Sequence, residues 1–189
     1  MRRIIAGFDS ETTGLFEPEH RIIEAALVLY DLDTEQELAS FVRRWNPGRP
    51  IDPDAQAVHG ITFEAVSMCP MLKDDEEGIA KIQQIAGATL FWVAHNGVGF
   101  DMPFIQQEFA GIGRTLPPIH CVDTMLEGTW ATPFGKRPNL GELCFATRTP
   151  YDPEQAHAAK YDVDRMMKAY FYGLKRGFFS LPEHAKVAT

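Results

Sequence analysis

R-I-I-A-G-F-D (residues 3–9), running into S-E-T-T-G-L (10–15), is the stretch on which the fold turns. The first seven residues are mostly apolar and read as a buried strand. The Thr-Thr-Gly that follows is a turn signal. At the junction lies D-S-E, residues 9–11. On a strand, residues i and i+2 share a face, so Asp9 and Glu11 project together from the end of an apolar strand. Two like charges that close repel unless a cation lies between them or one is protonated. Oxygen ligands of this kind suit Mg²⁺ or Mn²⁺. A lone D-x-E is more often a strand end entering solvent with both acids hydrated, so the weight falls on the rest of the chain.

Outward from that strand, I-I-E-A-A-L-V-L-Y-D (22–31) reads as a second strand ending in a D-L-D-T-E turn. A third, around 38–45, carries Phe41, Val42 and Trp45. The short connections fit a β-meander. The pattern then changes. Thr62 caps a short helix over 63–68. Residues 75–87 place Ile79, Ile82, Ile85 and Ala86 at helical spacing. T-L-F-W-V-A-H (89–95) is a fourth strand, 102–110 a helix with Pro103 in its first turn, and I-H-C-V-D-T (119–124) a short fifth strand. Helices are expected near 124–130 and 139–146, the latter capped by Asn139, and a long one over 156–176. Three antiparallel strands followed by alternating helices and strands predict an α/β fold with a mixed sheet. In such folds ligands gather where strand ends and helix starts converge.

The 189 residues fit one domain with a sizeable core, and no repeat or linker interrupts them. The net charge of −8 argues against a protein that coats nucleic acid non-specifically, though not against an enzyme whose acids bind cations locally. No apolar run is long enough to cross a bilayer. The opening M-R-R-I-I-A-G-F-D imitates a signal peptide until Asp9 ends its apolar run. Cys69, Cys121 and Cys144 are odd in number and widely spaced. That predicts a reduced, cytoplasmic protein without disulfides or structural zinc.

Two further stretches carry acids. A-H-N-G-V-G-F-D (94–101) runs from a strand through a Gly-containing turn to Asp101, which opens a helix; alone, Asp101 reads as a helix cap. Q-A-H-A-A-K-Y-D-V-D (155–164) sets His157 near the start of the last helix and Asp162 one to two turns on. Alone, these are a surface histidine and a solvated carboxylate. Ala159 keeps the surface between them low. The conjunction is what carries meaning: Asp9, Glu11, Asp101 and Asp162 each fall where a strand ends or a helix begins. Four carboxylates, one histidine and no cysteine suit a two-metal phosphoryl-transfer site with ions ~4 Å apart. His157, with an intrinsic pKa near ~6.5, is suited to accept a proton from water at neutral pH.

D-S-E-T-T-G-L (9–15), H-N-G-V-G-F-D-M-P-F (95–104) and H-A-A-K-Y-D (157–162) resemble, in order and spacing, the three motifs of the DEDDh exonucleases. That group lies in the ribonuclease H-like superfamily and includes the proofreading epsilon subunit of bacterial DNA polymerase III. I-I-E-A-A-L-V (22–28), V-H-G-I-T (58–62), V-D-T (122–124) and N-L-G-E-L-C (139–144) resemble further landmarks. The resemblance covers about residues 3–176 of a single exonuclease domain, 1–189. It implies a ribonuclease H-like α/β fold, in which a mixed five-stranded sheet with antiparallel first three strands is flanked by helices. It also implies 3′→5′ hydrolysis releasing nucleoside 5′-monophosphates. Asp9, Glu11, Asp101 and Asp162 would hold two Mg²⁺ or Mn²⁺, with Asp9 bridging, and His157 would be the general base. Leu15 would wedge against the terminal bases. Ser10, Thr12, Val58, His59, Asn96 and Phe100 would contact the terminal nucleotides. The chain departs from many members, which have two residues between the Asn and the Phe-Asp pair, in having three, Gly97, Val98 and Gly99, after Asn96.

The expected partners are single-stranded or frayed 3′ ends of DNA, with RNA the alternative, and no membrane. The family admits a polymerase partner, but no motif marks one here. Two other classes remain as rivals. An aspartyl-nucleophile phosphatase would need Asp in place of Glu11 and a later G-D-x-x-x-D, which is absent. A catalytically silent binding module would have no need of all five residues. Of the remaining polar residues, Asp123 reads as structural at least as readily as catalytic, His95 as an interior histidine, and Asp164 as solvated surface. Lys136 and Arg137 read equally as contacts to a DNA backbone or as a plain solvated loop.

Overall fold

The computed structural model describes residues 2–15 and 18–186. Strand β1 runs over Ile4–Thr12, three residues beyond the apolar run. Its antiparallel partner β2, Ile22–Asp31, explains the extension. The ladder continues through Asp9↔Ala26, Ser10↔Ala25 and Glu11↔Glu24, so pairing holds the strand after the apolar side chains stop. The bend comes only at residues 13–15. Strand β3, Glu37–Arg44, pairs antiparallel with β2. Strands β4, Trp92–Ala94, and β5, Cys121–Asp123, add in parallel to give the order β3-β2-β1-β4-β5. The five-stranded mixed sheet is as expected. Its last two strands are shorter than expected: the ladder ends with the Thr124 N–H on Ala94 O, after which the Asp123 carboxylate takes the N–H groups of the departing loops.

The helices are α1, Pro53–His59; α2, Phe63–Ser67; α3, Glu76–Ala88; α4, Asp101–Gly111; α5, Leu140–Ala146; and α6, Ala159–Lys175. Thr62 caps α2, and Asn139 with Glu142 forms a capping box on α5. The α-helix expected near 124–130 is instead a turn and a 3₁₀ segment, Glu127–Ala131. There the Asp123 carboxylate accepts the Met125 and Leu126 N–H groups and competes with helix formation. The last helix begins three residues later than expected. A 3₁₀ turn at Pro153–Gln155 precedes it, and His157 sits outside it in left-handed backbone at φ 63°. Among the described residues no helix is long and apolar enough to cross a membrane.

Alternation along β1 divides the core. Ala6 and Phe8 pack with Ile79, Ile82, Trp92, Phe104 and Phe109 under α3 and α4. Ile5 packs with Val93, Val163, Met167 and Tyr170 under α6. Gly7 lies on the α6 face. A Cβ there would stand 2.6 Å from Val163 Cγ1 and 2.8 Å from Met167 Cγ, so the absent side chain is what lets α6 lie directly on the strand. Ala159, also fully buried, keeps the start of that helix equally close.

Candidate active site

Strands β1, β4 and β5 are parallel, so their C-terminal ends share one edge of the sheet. The starts of α4 and α6 converge on that edge and enclose a cleft of about 390 Å³. Asp9, Ser10, Glu11, Thr12, Leu15, Val58, His59, Phe100, Asp101, His157 and Asp162 all line it. Of the residues expected at the site, Asn96 alone is not in the lining. Its backbone is at φ 63° and its N–H is spent on Asp123 Oδ1 at 3.1 Å.

Strand geometry assigns the acids to two sides. Asp9 and Glu11 follow Gly7 on the α6 face, where Asp162 arrives from the helix. Ser10 points to the opposite face and donates from Oγ to Asp101 Oδ1 at 2.6 Å, tying the first motif to the second. The His157 N–H donates to Asp162 Oδ2 at 2.8 Å, while Asp162 Oδ1 is buried without a partner. No described Lys or Arg pairs with any of the four acids, and Arg44, on the strand next to Glu24, is spent on Glu24.

The electrostatic cost is visible in the titration of the group. Burial first, then the charges of Asp101, Glu11 and Asp162, raise Asp9 well above the usual carboxylate range. Burial and the charges of Asp162 and Glu24 push Glu11 up to about 9. Burial raises Asp101 to about 7, against the Ser10 hydrogen bond that favours its anion. Burial also raises Asp162, opposed by the His157 N–H and charge. An all-oxygen donor set with surplus negative charge and one orphaned oxygen fits divalent cations of the Mg²⁺ or Mn²⁺ type. Among the described residues, no three His, Cys, Asp or Glu side chains already stand in an arrangement that would clasp one ion. The Ser10 and His157 bonds hold Asp101 and Asp162 in the meantime.

The cleft contains four histidines, and their hydrogen bonds separate them. His59 Nδ1 accepts from Ile61 N–H at 3.0 Å, so Nε2 carries the proton and donates to Thr12 O at 3.2 Å. Burial lowers its pKa, against the Thr12 carbonyl, which favours the protonated ring. His95 is held by Thr124 Oγ1 and Pro138 O, the satisfied interior histidine expected of it. His20 is buried between Thr13 and Asp52. His157 is exposed, and its ring makes no hydrogen bond with a described residue.

The sequence reasoning missed helix α1, which supplies Asp54, Ala55, Val58 and His59 to one wall of the cleft. None of its residues is buried, so it has no apolar periodicity to detect. Its signal is punctuation: Pro53 at the first turn and Gly60, at φ 69°, past the last. Glu24 was also missed. It lies directly across from Glu11 in the β1–β2 ladder and is paired with Arg44. Asp164 is not the solvated residue expected, since it accepts from Tyr30 OH at 3.1 Å and pairs with Lys160 at 2.9 Å. Asp123 takes a structural role: its carboxylate accepts the N–H groups of Asn96, Val98, Met125 and Leu126, clamping the loops that leave β4 and β5.

Residues 6–170 match the family model described as Exonuclease (RNase_T). The chain is 31% identical over 182 residues to the DNA polymerase III epsilon subunit of Buchnera aphidicola, covering 89% of this chain and 73% of that protein. It is 28% identical over 172 residues to the PolC-type DNA polymerase III of Mycoplasma genitalium. That alignment covers 89% of this chain but only 11% of the polymerase, so the chain spans about a tenth of the first relatives it matches. In structure it resembles Escherichia coli exonuclease I in complex with a dT13 oligonucleotide. The TM-score is 0.76 at 18% identity, covering 93% of this chain and 42% of the other. That likeness shows a ribonuclease H-like fold.

Proposed function

This chain belongs to the exonuclease (RNase_T) family, and from that premise we propose that it is a metal-dependent 3′→5′ exonuclease, one catalytic domain over 1–189, releasing nucleoside 5′-monophosphates. The observation that carries the reading is the gathering of Asp9, Glu11, Asp101 and Asp162 from remote parts of the chain around one cleft without a basic partner. Two Mg²⁺ or Mn²⁺, when bound, would neutralise these acids and supply Lewis-acid stabilisation of the phosphate. Asp9, Glu11, Asp101 and Asp162, which line the same cleft, would hold them. Ser10 orients Asp101. His157 takes the proton of the attacking water on an imidazole nitrogen, as the cleft histidine whose ring is uncommitted. A P–O bond forms to that water as the bond to the 3′ oxygen breaks. Leu15, 69% exposed at the cleft mouth, wedges against the terminal bases, with Val58, His59 and Phe100 around the last nucleotide. DNA is the favoured substrate, in keeping with the DNA polymerases among the relatives, and a polymerase is a candidate partner on the same ground. The three free cysteines suit a reducing, cytoplasmic setting.

The test is incubation of 5′-end-labelled single- and double-stranded DNA and RNA with Mg²⁺, Mn²⁺ or EDTA. The expected result is a ladder shortened from the 3′ end, dependent on cation, blocked by a 3′-phosphate, and strongest on DNA. Release of the labelled 5′ nucleotide first, or cleavage of circular single strands, would sink the reading.

A further inference from the structure

The edge of the sheet that holds the cleft also sends out the loop following β5, and that loop carries a feature the catalytic residues do not use. Phe134 is fully exposed, at 107% of its reference area; of the other described aromatics only Phe145, at 88%, approaches it. Its backbone is left-handed, at φ 61° and ψ 17°, a conformation that is strained for a non-glycine residue. Three residues on, Arg137 is exposed and forms no ion pair with a described residue, although the chain is acidic overall. Lys136 beside it is tied to Glu142 at 2.8 Å. The loop is anchored to the site at its far end: Pro138 is buried, and its carbonyl oxygen accepts from Nε2 of His95, a cleft-lining ring, at 3.1 Å. At its near end, Asp123 fixes it to the turn that carries Val98, which is 49% exposed, and Phe100 of the cleft wall.

From this placement we propose that Phe134 and Arg137 form a platform for the nucleic-acid strand lying 5′ to the bond being cut, with Phe134 stacking on a base and Arg137 meeting a phosphate. The inference deepens the exonuclease reading and rests on it for the identity of the substrate. An exposed aromatic and an exposed guanidinium without an ion pair, three residues apart on one loop, are the two elements of sequence-tolerant single-strand binding. The cleft acids repel a polyanion, so attraction must come from outside the acid cluster. A loop at the same sheet edge, bonded to the cleft wall through His95, is placed to meet a strand leaving it. The strain and exposure at Phe134 bring no packing gain to the free protein.

The test compares wild type with Phe134→Ala, Phe134→Trp and Arg137→Ala. Fluorescence anisotropy in EDTA reads binding of a 5′-labelled oligothymidylate of about 16 nucleotides, without chemistry. Cleavage of the same oligomer and of a thymidine dinucleotide with Mn²⁺ reads turnover. Phe134→Ala and Arg137→Ala should each weaken binding of the long strand by about tenfold. Phe134→Trp should restore it, and the deficit in KM should grow with strand length. Unchanged affinity in both alanine variants, or a deficit independent of length, overturns the platform. Binding without cleavage in wild type would instead count against the exonuclease reading while leaving the platform supported.

Discussion

Asp75 and Asp101 are nearly equally buried, at 5% and 3% exposure, and both stand at the start of a helix, yet they live in opposite surroundings. Asp75 accepts two hydrogen bonds from Arg43, at 2.9 and 2.7 Å, one from the Trp45 indole at 2.9 Å, and one from Gly78 N–H at 3.2 Å. Burial alone would raise its pKa, but those four donors together hold it below the ordinary carboxylate value. Asp101 has Ser10, and other acids beyond it, and burial carries it up to about 7. The contrast teaches that burial does not distinguish a paired structural acid from one proposed to hold a cation. What distinguishes them is whether the protein itself supplies the positive partner.

The largest test of that distinction is Asp9→Ala. It should abolish cation-dependent cleavage while the protein stays folded, as followed by thermal melting; residual cation-dependent turnover would remove its bridging role. His157→Ala should cost about 10²–10⁴ in rate and leave cation binding by calorimetry intact, whereas near-normal turnover would show that some other group takes the proton. On the structural side, Asp75→Ala should leave the chemistry alone and destabilise the fold by about 3 kcal/mol, because Arg43 and the buried Trp45 N–H lose their acceptor. A loss of activity with unchanged stability would erase the contrast. Glu11→Gln should do the reverse. It relieves repulsion with Asp162 and Glu24, raises the stability of the cation-free protein by about 1 kcal/mol, and destroys turnover.

The subtlest expected effect is in pH. Glu11 and Asp101 are raised in the folded protein from 4.5 and 3.8 to about 9 and about 7. The folded state therefore keeps protons that the unfolded chain has already released. The contribution of Glu11 and Asp101 to stability in EDTA should be greatest below the unfolded values, decline as pH climbs above them, and go on declining through about 7 and toward about 9. Added Mg²⁺ should flatten that decline, since it replaces the protons. A flat profile in EDTA would mean that the acids are already compensated.

Much of this was legible in the chain. Asp9 and Glu11 share a face because strand periodicity is two, and Asp101 and Asp162 are marked by turn and helix-start signals. What the chain concealed follows from physics acting at a distance. The extension of β1 past its apolar run depends on pairing with β2, residues away in sequence. Helix α1 buries no side chain and so leaves no periodic trace. The Asp123 clamp arises from one carboxylate meeting four N–H groups from two loops, which no local pattern announces.

Gly7 fixes a length scale for all of this. Two positions before Asp9, it lets Val163 and Met167 touch the strand, and Asp162 is the neighbour of Val163. A single methyl group there would act as a shim, prying the final helix off the sheet by a few tenths of an ångström or more. The last acid would recede from the first two without any residue of the cleft being altered.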